Sequence, residues 1–171
     1  MSATSRYLTA AETAALVRKA LKAAYPAVKF SVRSKTYAGG ASIDIGWGDG
    51  PSLGEVEATA KLYQGTTPHG IHRQSLLSSQ DGAEVVRYGA SYVFCNRRLS
   101  PAFTAELANE IAAFTGAPYD PNRQYHATAL NAPGSDQPGT LRDSPHETSW
   151  GSDLLHRLAR NRARPTTPTA A

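Results

Sequence analysis

Two short runs of alternating apolar residues, Val28, Phe30, Val32 and Ile43, Ile45, Trp47, stand on either side of the glycine pair Gly39 and Gly40. Successive side chains of a strand point to opposite faces, so each run predicts a strand with one buried face. The link from Ser34 to Ala41 holds residues that accept left-handed backbone, and an antiparallel hairpin is the simplest connection. Such a hairpin must be covered on its apolar side. The neighbouring sequence supplies helices to do so.

A helix is predicted from Thr9 to about Ala24, because Thr9 and Glu12 have the spacing of a capping box that satisfies two backbone donors reciprocally. Val17, Ala20, Leu21 and Ala24 share one stripe, and Pro26 ends the helix. Ser52 and Glu55 repeat the capping pattern before Val56, Ala60 and Tyr63. Gly65 to Gly82 shows little periodicity and reads as a long loop. A third strand is expected over about Glu84 to Asn96, with Tyr88, Ala90, Tyr92 and Phe94 on one face and Arg87, Gly89, Ser91, Val93 and Cys95 on the other. Ser100 and Pro101 open a last helix with Phe103, Leu107, Ile111 and Phe114 on one stripe and Gly116 as its stop. The order α-β-β-α-β-α predicts an α+β fold: a small three-stranded sheet with helices on one face.

After Gly116 the character changes. Pro118, Pro121, Pro133, Pro138, Pro145, Pro165 and Pro168 interrupt a polar stretch, which is seven of the eleven prolines in the 171 residues. Residues 1–116 are therefore expected to form the domain and 117–148 an extended Pro-rich arm, pinned at most by Tyr119, Tyr125 and Leu130. Residues 149–171 should form a short basic helix with a disordered end. There Leu154, Leu155 and Leu158 make an apolar stripe, while Arg157, Arg160, Arg162 and Arg164 add charge without a neighbouring acid. No apolar run approaches the ~20 residues needed to span a bilayer, and the first residues lack a secretory apolar block, so a cytoplasmic protein is expected. The lone Cys95 excludes an intrachain disulfide framework.

The stretch VRKALKAAYPAVKFSVRSKTYAGGASIDIGWGDGPSLGEVEA, residues 17–58, resembles the large polyvalent protein-associated domains carried by proteins of bacteriophages and conjugative elements. VRYGASYVFCNRRLSP, residues 86–101, is similar to the later part of the same family. The likeness spans about residues 8–116, and the segment TTPHGIHRQSLLSSQDGAE has no counterpart in it. What it implies is context: accessory or counter-defence roles for mobile DNA, in the host cytoplasm if phage-encoded. It transfers no catalytic residue.

The candidate binding surface is the outward face of the sheet, with Lys29, Ser31, Arg33, Ser42, Asp44, Arg87 and Ser91, and with Lys35 and Tyr37 at the hairpin tip. Cations among small polar neighbours suit a phosphate backbone, and Gly39 and Gly40 permit close approach. The competing use is internal, with Asp44 paired to Arg33 or Lys29 across strands. No outward aromatic is expected for base stacking, which weighs against a single strand or RNA. Arg97 and Arg98 follow Asn96 at the end of the third strand, and share the tip's end of the sheet if that strand runs antiparallel to the second; the competing use of Arg98 is to cap or pair with the fold. Arg157, Arg160 and Arg164 extend the basic surface along the terminal helix. The net charge of +4 permits a polyanion without requiring one.

His69 and His72 have a ligand-like H-x-x-H spacing, but a zinc site would need Cys95, His126 or His146 to converge from far away, so no metal and no cofactor are expected. Cys95 lies in an apolar strand, and neither a nucleophile elbow nor a carboxylate pair is evident. The function expected from the residues is non-catalytic binding of nucleic-acid backbone without sequence specificity. The alternative is an inhibitor of a host protein that uses the arm and the Leu154 to Leu158 stripe.

Overall fold

A computed structural model describes residues 5–66, 74–79, 82–129 and 139–164. The chain forms an α+β fold. In order, it runs through β1 (Ser5–Leu8), α1 (Ala10–Ala24), β2 (Ser31–Tyr37), β3 (Gly40–Gly48), α2 (Leu53–Ala60), β4 (Gln74–Ser79), β5 (Gly82–Tyr88) and β6 (Tyr92–Arg98). There follow α3 (Pro101–Thr115), β7 (Gln124–Tyr125), β8 (Ala127–Ala129), β9 (Leu141–Asp143), β10 (Ser149–Trp150) and α4 (Gly151–Asn161). The helix boundaries follow their local chemistry. Thr9 and Glu12 close a reciprocal capping box on α1, Ser52 and Glu55 do the same before α2, and the Ser100 hydroxyl accepts from the Phe103 N–H at the start of α3.

Contacts divide the chain into two compact units, Met1–Trp47 with Val56–Asn96, and Gly48–Glu55 with everything from Arg97 onward. In the first, β2, β3 and β6 form one sheet and β1, β5 and β4 another. The hairpin is tighter than its sequence suggested: β2 and β3 pair antiparallel from Ser31↔Gly46 to Tyr37↔Gly40, which leaves only Ala38 and Gly39 to turn. Gly39 has φ 113°, a conformation side chains rarely adopt. Helix α1 packs on β2 and buries Ala14, Val17 and Leu21. Ile43, Ile45 and Trp47 of β3 are buried as the alternation requires.

The expected third strand is two strands in two sheets. β5 lies between β1, its parallel partner, and β4, its antiparallel one, whereas β6 joins β3. The break falls at Gly89, Ala90 and Ser91. A Cβ on Gly89 would stand 2.3 Å from the Leu8 carbonyl oxygen, so backbone approach there excludes any side chain. The presumed loop between Gly65 and Gly82 contributes β4, and β1 carries no alternating pattern by which its four residues could be recognised.

In the second unit, Phe103, Leu107 and Ile111 of α3 join Leu154, Leu155 and Leu158 of α4 in one buried cluster. Tyr125, Ala127 and Ala129 are buried in the same cluster, so this part of the expected arm is core. The Tyr125 hydroxyl accepts from the Asp120 N–H at 2.8 Å and donates to the Pro118 carbonyl at 3.0 Å, fixing the proline-rich bend. Tyr119 packs against the cluster as expected of a pin. Leu130 lies outside the described residues.

Candidate nucleic-acid interface

The open face of the β2, β3 and β6 sheet is built by register. Arg33 stands across from Asp44, Lys35 from Ser42, and Tyr37 from Gly40. Arg33, Lys35 and Tyr37 are exposed, as is Lys29 just before β2. Among the described residues, none forms an ion pair or hydrogen bond with the side chains of Lys29, Arg33, Lys35 or Asp44. Ser42, expected on the outward face, is covered, with 5% of its surface accessible. Arg87 is exposed but sits on β5 and therefore in the other sheet. Gly40 packs close to Ser91, where an added Cβ would lie 2.9 Å from the Ser91 hydroxyl.

β6 runs in the same direction as β3. The Ser91 N–H, just before β6, donates to Ala41 near the start of β3 at 2.8 Å, and Asn96 at its far end lies beside Gly46. The hairpin tip and the end of β6 therefore occupy opposite ends of this sheet, so the antiparallel arrangement that would have gathered them does not form.

The outward side of β6 differs from the sequence expectation. Tyr92 and Phe94 face solvent, 48% and 50% exposed, while Val93 is buried. Their rings stack with centroids 6.1 Å apart and planes 21° from parallel. They were expected to share the inward face of Tyr88 and Ala90. The break at residues 89–91 resets the alternation, so Tyr88 and Ala90 are buried and Tyr92 and Phe94 are not. Three small residues in a row were the available signal.

Arg97 near the end of β6, and Arg162 and Arg164 after α4, are committed within the second unit. Arg97 donates from Nε to the Asp49 carbonyl at 2.8 Å, from Nη1 to the Ala159 and Arg162 carbonyls at 2.8 and 2.7 Å, and from Nη2 to Gly50 at 3.0 Å. Burial pushes its guanidinium pKa down, and the charges of Asp49 and Glu55 oppose that shift. Arg164 donates to Asp49, to the Ser100 hydroxyl and to Glu106 at 2.8, 2.9 and 2.7 Å. Arg162 makes a two-pronged contact with Glu110 at 2.8 and 2.9 Å. The acids that neutralise this basic segment lie far away in the chain, so the local sequence looked uncompensated. Arg98 is exposed at the end of β6. Arg157 and Arg160, on the exposed side of α4, line a groove of about 330 Å³ with Leu53 and His156. Leu154, Leu155 and Leu158 are buried, which removes from the surface the stripe that an inhibitor would present.

Cys95 is half-buried, and burial pushes its thiol up to about 11, with Glu57 adding to the shift and Lys61 opposing it. Such a thiol is protonated at neutral pH and a poor nucleophile. Among the described residues no three His, Cys, Asp or Glu side chains gather as metal ligands. His69 and His72 lie outside the described residues. No helix among the described residues is long and apolar enough to cross a membrane.

Residues 8–100, just over half the chain, match the family model described as Large polyvalent protein associated domain 29. No curated protein and no solved structure matches the chain.

Proposed function

The chain belongs to the family of large polyvalent protein associated domain 29, an accessory domain of phages or mobile elements, and from that premise we propose that it binds nucleic-acid backbone without catalysis. The contact surface is the open face of the β2, β3 and β6 sheet. Arg33 and Lys35 support this reading most directly: they are two positions apart on β2, exposed on one side of the strand, and their side chains make no hydrogen bond or ion pair with a described residue. Lys29 adds a third exposed cation, and Asp44 places a carboxylate across from Arg33.

Cations on flexible side chains neutralise phosphates and release counterions, a contribution that carries no base information. Binding is therefore independent of sequence and sensitive to salt. Arg97 and Arg164 take no part, because their donors already meet carbonyls and carboxylates.

The test is fluorescence anisotropy with a labelled mixed-sequence oligonucleotide across a salt series. Each lost phosphate contact should reduce the steepness of log K against log salt by about 0.7 for a single strand or 0.9 for a duplex. Replacing Arg33 and Lys35 with Gln should therefore flatten the slope by about 1.4–1.8. An unchanged slope, or no measurable binding at low salt, overturns the proposal.

A further inference from the structure

We infer that the ligand of this face is single-stranded nucleic acid, with bases stacked on Tyr92 and Phe94 while Arg33 and Lys35 hold the backbone; the inference rests on the reading proposed above. The two rings are half-exposed, nearly parallel and two residues apart on β6. Leaving large aromatic surface in water forgoes the stabilisation that burial brings, so two adjacent exposed rings on a regular strand mark a contact surface. Tyr37, 43% exposed near the hairpin turn, supplies a third ring.

The charges give this surface a direction. Arg33 and Lys35 lie on β2, the aromatic pair on β6, and β3 runs between them. With about 4.8 Å between neighbouring strands, the cationic and aromatic rows are about 10 Å apart. Asp44 is exposed on the central strand and carries no ion pair with a described residue. Its carboxylate repels phosphate from the middle of the sheet and can accept a hydrogen bond from a base amino group. Phosphates are thus favoured over β2 and bases over β6.

A duplex cannot satisfy this arrangement, because its base faces are already stacked on one another and only edges are presented in the grooves. A single strand can turn its bases out onto aromatic rings, and every base has a face that stacks. The expected selectivity is for strandedness rather than sequence.

The full chain is titrated with a labelled DNA single strand, the RNA of the same sequence, and the DNA duplex. The wild type should bind both single strands more tightly than the duplex. Tyr92→Ala and Phe94→Ala should each weaken single-strand binding by about 5- to 150-fold, the cost of a lost base stack. Neither should change the salt slope, and duplex binding should not move. Phe94→Leu, which keeps apolar bulk without a ring face, should lose most of the same affinity; circular dichroism establishes that each variant is folded. Preference for the duplex, or unaltered single-strand binding by Tyr92→Ala and Phe94→Ala combined, overturns the stacking inference. If Arg33 and Lys35 still set the salt slope in that case, backbone binding survives alone. Failure to bind any of the three ligands overturns both.

Discussion

Arg164 donates from Nη1 to the Oδ2 oxygen of Asp49 at 2.8 Å, joining residues 115 positions apart in the chain. Burial pushes the Asp49 carboxyl up, but hydrogen bonds from the Ser100 side chain and backbone, with the Arg164 guanidinium, outweigh it and hold the group below its ordinary value. Asp49 also has φ 43°, a left-handed conformation that Asp and Asn tolerate better than most residues.

The pH dependence has a definite sign. A carboxyl whose pKa is lowered by folding contributes full stability above the unfolded value of about 3.9, and that contribution disappears as pH falls through the folded value. Thermal melts should show the wild type losing stability below about pH 4, while Asp49→Asn, less stable at neutral pH, loses less on acidification. Parallel losses in the two proteins would dissociate Asp49 from the acid response.

Arg97 should prove structural. Arg97→Ala strips hydrogen bonds from four backbone carbonyls and should cost about 2–3 kcal/mol in denaturant melts. Arg97→Lys should recover only part of that, because one ammonium cannot present the planar fork. Neither substitution should alter the salt slope of nucleic-acid binding, since the guanidinium faces carbonyls.

Leu158 of α4 is fully buried in the core cluster that it shares with Phe103, Leu107 and Ile111 of α3. Leu158→Ala should cost about 2–5 kcal/mol in urea unfolding, whereas Phe114→Ala, at a position 40% exposed, should cost far less. Similar costs at the two positions would contradict the packing described for α4.

Cys95 should resist alkylation. With its thiol near 11, only about one molecule in a thousand carries the thiolate at pH 8. Iodoacetamide labelling of the folded chain should run at least about tenfold slower than in urea. Rapid labelling at neutral pH would reopen a nucleophilic role for this residue.

Helix starts and the hairpin were legible because their causes are local. Thr9 with Glu12, Ser52 with Glu55, and Ser100 with Phe103 lie three residues apart, and β2 and β3 are joined by a two-residue turn. The outward placement of Arg33, Lys35 and Tyr37 followed from the hairpin. An unbroken alternation through Gly89, Ala90 and Ser91 would bury Tyr92 and Phe94, and the chain breaks at those three residues, which turns both rings to solvent. β7 and β8 were invisible because strands of two and three residues are too short to display a period.

By itself the sequence determined the α+β class, the helix ends, the hairpin and the family resemblance, all of which rest on interactions between near neighbours or on continuous motifs. Tertiary structure alone decided which cations remain available. Arg33 and Arg97 are chemically identical, yet the Arg33 guanidinium meets no described acceptor while that of Arg97 finds acceptors 47, 48, 62 and 65 positions away. Whether a charge is spent or left for a ligand depends on groups that only folding brings within hydrogen-bond distance, because a guanidinium's reach is a few ångströms whatever the separation along the chain.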